Sequence, residues 1–137
     1  MRAVLALSLL PLLVANAAST GGKAGGIDAV LRTSDARFVT LDEIVTPIFG
    51  ESRIEGTLTA RLVVETADYK VAAALRPGLP RIRAAALTTT LEFARLNASG
   101  YAPVDAPSLG MVLNRAVRAA DPRVRRVLIV RLGAETD

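Results

Sequence analysis

The sequence predicts an α+β domain in which helices cover a small and mostly antiparallel sheet. Residues 38–65 are rich in β-branched side chains and alternate between apolar and polar positions. Three segments with helical spacing follow, and a short apolar run lies near the C-terminus. The predicted order of elements is therefore β-β-α-α-α-β, with the helices layered on one sheet.

The first two predicted strands form an antiparallel pair, because only a short turn separates them. The first is the stretch FVTLDEIVTPIF at residues 38–49, where Pro47 is compatible only with an edge strand or a strand end. The second is residues 53–65, where apolar residues such as Leu62 alternate with polar residues such as Arg61. This alternation predicts one buried face and one face in contact with water.

Three helices are predicted to follow. Asp68 caps the first, Pro80 opens the second over residues 79–97, and the third begins after Asp105. The second helix has two apolar stripes, so both of its sides are expected to pack against another part of the structure. One side can pack against the sheet of the same chain, and the other can pack against the third helix or against a neighbouring subunit.

Leu87 and Leu91 lie on the second apolar stripe of that helix. The third helix has one strong apolar stripe, which its own sheet is expected to occupy. We therefore expect Leu87 and Leu91 to form an exposed patch, and such patches mark interfaces. The prediction is a homo-oligomer in which these leucines make the contact, although an intramolecular pair of helices explains the same stripe.

The last predicted strand covers residues 123–132. Its apolar run from Val127 to Val130 is uninterrupted, which is typical of a central strand that is covered on both faces. We accordingly expect Leu128 and Val130 to be buried together with Leu62 of the second strand.

The N-terminal 17 residues have the pattern of a cleaved signal peptide. Arg2 precedes an apolar region that Pro11 interrupts, and Ala15-Asn16-Ala17 supplies a small-residue cleavage site. The apolar run is shorter than the ~20 residues that a spanning helix needs. We expect a flexible glycine-rich tether over residues 18–36 and a periplasmic domain over residues 37–133. The alternative is an uncleaved segment that anchors the same domain to the membrane.

The composition removes most catalytic groups. The chain contains no cysteine and no histidine, which excludes disulfides, thiolate chemistry and an imidazole base or ligand. Asp42 and Glu43 are adjacent on a predicted strand, so their side chains point to opposite faces and cannot work as a paired acid and base. We therefore expect no enzyme activity, no cofactor and no metal site.

Basic residues are concentrated in the C-terminal half. The formal net charge is +4, and residues 76–131 contain ten arginines against three acidic residues. Such asymmetry is typical of a surface that meets an acidic partner, an anionic lipid or a cell-wall polymer, and export argues against nucleic acid. The candidate contact residues are Arg115, Arg118, Arg123, Arg125 and Arg126. The alternative is that these arginines only solvate helix and strand faces.

Four segments together resemble the flagellar basal-body-associated FliL family. They are FVTLDEIVTPI, GTLTARLVVET, LRPGLPRIRAAALTTTLEF and VRRVLIVRL, and they span residues 37–132. The resemblance implies a periplasmic domain related in fold to stomatin-type band domains, which assembles in rings around the stator units of the flagellar motor. That family carries a basic cytoplasmic tail and one spanning helix, whereas only Met1 and Arg2 precede the apolar segment here.

Two functions are compatible with these features. The first is an exported, non-catalytic scaffold that binds itself and a protein of the flagellar motor or of another envelope assembly. The second is a small secreted domain that binds an anionic ligand or cell-wall polymer through its arginines.

Overall fold

The computed structural model describes residues 36–136. In this range the chain forms a four-stranded antiparallel sheet with helices packed against one face, which confirms the predicted α+β class. The predicted signal peptide lies outside the described residues, and so does the predicted tether apart from residue 36. None of the helices in the described part is long and apolar enough to cross a bilayer.

The chain has one more strand than the sequence predicts, because residues 38–49 form two strands instead of one. The strands are β1 (Phe38–Thr40), β2 (Ile44–Phe49), β3 (Ile54–Glu65) and β4 (Arg126–Thr136). The helices are α1 (Tyr69–Leu75), α2 (Leu79–Asn97) and α3 (Ala106–Ala120), with a 3-10 turn at Arg76–Gly78. β4 thus continues beyond residue 133, where the predicted domain ends.

An extra residue separates β1 from β2. Thr40 pairs with Val63 and Ile44 pairs with Ala60, so three residues, 41–43, lie opposite the two residues between Ala60 and Val63. A ladder cannot pair three residues with two, and the regular hydrogen bonding stops there. The sequence does carry a signal for this break, because the apolar alternation of Val39 and Leu41 resumes at Ile44 and not at residue 43. Asp42 and Glu43, which were expected on a strand, lie between β1 and β2 and are both exposed.

β3 is the central strand of the sheet. β1 and β2 pair with one of its edges and β4 pairs with the other. The predicted alternation on β3 is confirmed, since every second residue faces the helices and is buried. These buried residues are Gly56, Leu58, Ala60, Leu62 and Val64. Pro47 lies on β2, which is an edge strand as predicted.

The three predicted helices are confirmed, and aspartates begin two of them. The Asp68 carboxylate accepts hydrogen bonds from the backbone N–H groups of Lys70 and Val71. Asp105 accepts a hydrogen bond from the N–H of Ser108 at the start of α3. Such caps satisfy N–H groups that have no partner inside the helix. α2 packs on β2, and α3 packs against both α2 and β4.

β4 is an edge strand, so the prediction of a central strand buried on both faces is wrong. Among residues 36–136 it pairs only with β3, and Val130 is 56% exposed, while Leu128 is half-buried. Among residues 36–136 the helices cover only one face of the sheet, and Leu128 lies on the other face. Opposite Arg61 the register shifts, so that Val130 is an extra residue in a β-bulge.

Candidate functional site

The five candidate arginines do not form one patch, because two of them are paired with carboxylates. Arg123 Nη2 lies 2.7 Å from Asp121 Oδ2, and Arg126 Nη2 lies 3.0 Å from Glu65 Oε2. Arg115, Arg118 and Arg125 have no acidic side chain within 4.0 Å in the described part of the chain.

Asp121 is the buried centre of an ion-pair network that ties the turn before β4 to the helices. Its side chain is 1% exposed, and Oδ1 accepts hydrogen bonds of 3.0 Å from both the backbone N–H and the Nε of Arg123. Oδ2 also accepts a 3.4 Å contact from Arg81 on α2. Arg123 Nη1 donates to the carbonyl of Ala74 at 2.9 Å. Arg123 therefore links Asp121 to the backbone of α1.

The charge of Asp121 is stabilised in this network. Hydrogen bonds from the Arg123 guanidinium lower the pKa of Asp121 from its ordinary 3.8 to about 2, although burial acts in the opposite direction. The same pairing raises the pKa of Arg123. The spacing of two residues between Asp121 and Arg123 across a turn is the only sequence signal of this network.

Arg115 and Arg118 lie together on the outer side of α3. They line an open surface depression of about 530 Å³ whose other walls include Met111 and Ala119. Two guanidinium groups without carboxylate partners can donate paired hydrogen bonds to an anion. The depression is open to solvent, so water and salt weaken any such contact.

Asn114 lines the same depression and is directed toward β4. Its Nδ2 donates to the carbonyls of Gly110, at 2.8 Å, and Val127, at 3.1 Å. Its Oδ1 accepts from the N–H of Val127 at 2.8 Å. α3 runs beside the outer edge of β4, where backbone groups have no strand partner, and Asn114 supplies that partner.

The two leucines proposed for self-association are in different environments. Leu87 is half-buried and packs against the main core cluster. Leu91 is 39% exposed at the surface of α2. Leu91 therefore lies at the surface, whereas most of the Leu87 side chain is buried.

The face of the sheet opposite the helices carries apolar side chains. Val63 of β3 pairs with Leu128 of β4, and both are half-buried. Val130 and Val45, at 56% and 55% exposure, lie on the same face. No helix or strand among residues 36–136 covers this face. The sequence analysis missed this surface because an apolar run also fits a fully covered strand.

Comparison with known proteins finds no family model and no curated protein that matches this chain. Within the described range no group of three or more Asp, Glu, His or Cys side chains could hold a metal ion. The described surfaces are suited to binding. A partner can bury the apolar side chains of the open sheet face, and the depression on α3 can bind an anion.

Proposed function

We propose that this chain is an exported, non-catalytic interaction protein of the cell envelope. In this proposal it acts as a scaffold that binds a protein of the flagellar motor, in keeping with its resemblance to the FliL family. The observation that carries the proposal is an apolar patch of Val63, Leu128 and Val130 on the uncovered face of the sheet.

The uncovered face has the composition of an interaction surface. An antiparallel sheet with one solvated face normally has polar residues on it. Here Val63, Leu128 and Val130 lie on neighbouring parts of β3 and β4. At one end of this apolar patch, Arg126 of β4 is ion-paired with Glu65 of β3. An apolar centre with a charged rim is the arrangement found at protein interfaces.

Swimming of a deletion strain tests this proposal. We expect loss of the gene to reduce swimming and the wild-type gene to restore it. A Val130→Glu gene should fail to restore swimming although the variant accumulates at the wild-type level, because a buried carboxylate would disfavour the contact. Thr88→Glu, which adds the same charge to an exposed position of α2, should restore swimming. Wild-type swimming of the deletion strain would reject the flagellar role.

A second candidate function is binding of an anionic polymer of the envelope. It is favoured by the depression on α3, where Arg115 and Arg118 have no acidic partner in the described residues. The full chain should co-sediment with isolated cell-wall material at low salt and dissociate as salt rises. The Arg115→Ala/Arg118→Ala variant should lose this binding. An Arg53→Ala/Arg95→Ala variant with the same net charge should retain it, and equal loss in both would show that only net charge matters.

A further inference from the structure

The outer edge of β4 has backbone groups that face away from β3. The N–H and C=O of Val127 point outward, because both bond to the Asn114 side chain. Successive residues of an antiparallel strand alternate between the two sides, and the bulge at Val130 shifts that alternation by one residue. The residues of β4 beyond the bulge that present outward backbone groups are therefore Leu132, Ala134 and Thr136.

This part of the edge is open in the described structure. Among residues 36–136, no hydrogen bond reaches Leu132 or Ala134 from outside the β3–β4 ladder. An open depression of about 460 Å³ lies between residues 132–134 and the loop at 100–106. Three successive residues of one strand line it, so it runs along the strand edge and leaves room for another chain.

The exposed charges of this segment are self-complementary. Arg131 and Glu135 lie on the uncovered face of the sheet, and neither has an oppositely charged partner within the described range. Gly133 is midway between them. A two-fold axis at Gly133 therefore sets Arg131 of each chain directly opposite Glu135 of the other.

The same two-fold axis provides hydrogen-bond partners for the outward-facing backbone groups of β4. It pairs Leu132 of each chain with Ala134 of the other, and each such pair exchanges two hydrogen bonds. The two Gly133 residues then form a non-hydrogen-bonded pair, in which the Cα atoms approach to ~4.5 Å. Charge and backbone pattern thus select one register.

We propose that β4 pairs antiparallel with β4 of a second copy about this axis, which joins two four-stranded sheets into one sheet of eight strands. The inference goes beyond the proposed function and names a surface for the homo-oligomer that the sequence predicts. Its test in solution is independent of swimming, so either proposal can fail alone.

Charge reversal tests the register. Sedimentation of the full chain at low ionic strength should show a dimer that both Arg131→Glu and Glu135→Arg weaken, each by roughly tenfold or more in Kd, because each creates two like-charge pairs. The double variant Arg131→Glu/Glu135→Arg should return the Kd to near the wild-type value. Arg95→Glu, an exposed change on α2 without a described ion-pair partner, is the matched control and should leave Kd unchanged. Failure of the double variant to recover would reject this register.

A disulfide tests the position of the axis. The chain contains no cysteine, and a Cβ at Gly133 would meet nothing within 4 Å. A Cα separation of ~4.5 Å is within the range that a disulfide spans. Gly133→Cys should therefore form a covalent dimer on mild oxidation, whereas Thr88→Cys on the exposed side of α2 should not. A monomeric wild type together with an uncross-linked Gly133→Cys variant would overturn the proposal.

Discussion

The side-chain amide of Asn114 pairs with the backbone of Val127 as a neighbouring strand would. Its oxygen accepts from the Val127 N–H at 2.8 Å, and its nitrogen donates to the Val127 carbonyl at 3.1 Å. A helix therefore closes the start of an edge strand through a single residue. Edges that stay open are sites where another chain can pair.

Asn114→Ala should lower the free energy of unfolding by about 1–3 kcal/mol, because it leaves two part-buried backbone groups without a partner. The measurement is urea denaturation at neutral pH. Arg115→Ala, at the next and exposed position of α3, should change stability by no more than about 0.5 kcal/mol. Equal effects of the two substitutions would show that the Asn114 contacts contribute nothing net.

The buried Asp121 predicts a loss of stability in acid. Its pKa is lowered to about 2 in the folded chain from an ordinary 3.8, so between these pH values the unfolded state binds more protons. The stabilisation, about 2 kcal/mol, is present above pH ~4 and lost as the pH falls through ~2. Denaturation at a series of pH values should show this slope. Asp121→Asn should reduce it, whereas Asp42→Asn, whose carboxylate is 91% exposed, should keep it.

Truncation of two apolar residues should separate the core from the open face. Leu62 is fully buried, so Leu62→Ala should cost about 2–5 kcal/mol. Val130→Ala should cost no more than about 0.5 kcal/mol, because its side chain is already largely in water. Comparable costs in thermal or urea denaturation would mean that Val130 is covered within the folded chain.

The leucines of α2 should respond differently to a charge. Leu87→Glu should lower the Tm strongly, since Leu87 packs on the core, whereas Leu91→Glu should leave the Tm near the wild-type value. The exposed Leu91 is also a candidate for a second contact between copies of the chain. The two-fold contact through β4 can join only two copies, so a ring needs an additional head-to-tail contact. Light scattering should therefore show that the Leu91→Glu variant does not form assemblies larger than a dimer. Unchanged large assemblies would place the second contact elsewhere.

Export predicts a new N-terminus. If Ala15-Asn16-Ala17 is a cleavage site, mass spectrometry of the protein from the cell envelope should find a chain that begins at Ala18 or within a residue or two of it. Ala17→Leu should slow the processing, because the site requires small side chains. An intact Met1 in the membrane fraction would favour the anchored form.

The sequence was sufficient to predict the helices, because their signals are local. Asp68 and Asp105 cap the helices that they were expected to cap, and α2 has its predicted bounds. The sheet was harder to predict. Alternation shows which face a residue occupies but not which strand lies beside it, so the edge position of β4 had no signal. The break after Thr40 did have one, the adjacent polar residues Asp42 and Glu43 between Leu41 and Ile44, and it was overlooked.

The ion pairs at the surface could not be predicted from the sequence either. The arginines could be counted in the sequence, but their partners could not be assigned. Arg126 pairs with Glu65, which is 61 positions away and meets it only across the β3–β4 ladder. The open face became visible only when the strand order was known, since Val63 and Leu128 are far apart in the chain.

Both neighbours of β3 carry an extra residue opposite Arg61 and Leu62: one lies in the segment 41–43, and the other is Val130. A residue can therefore be lost at either of these two places without moving the other side chains of the strand to the opposite face of the sheet. Loss of Val130 would leave every other side chain of β4 on its present side, whereas loss of Gly133 would turn the residues after it over. Natural single-residue insertions and deletions should therefore be found on this line across the sheet, and at Glu55, which is an extra residue of β3 opposite β2.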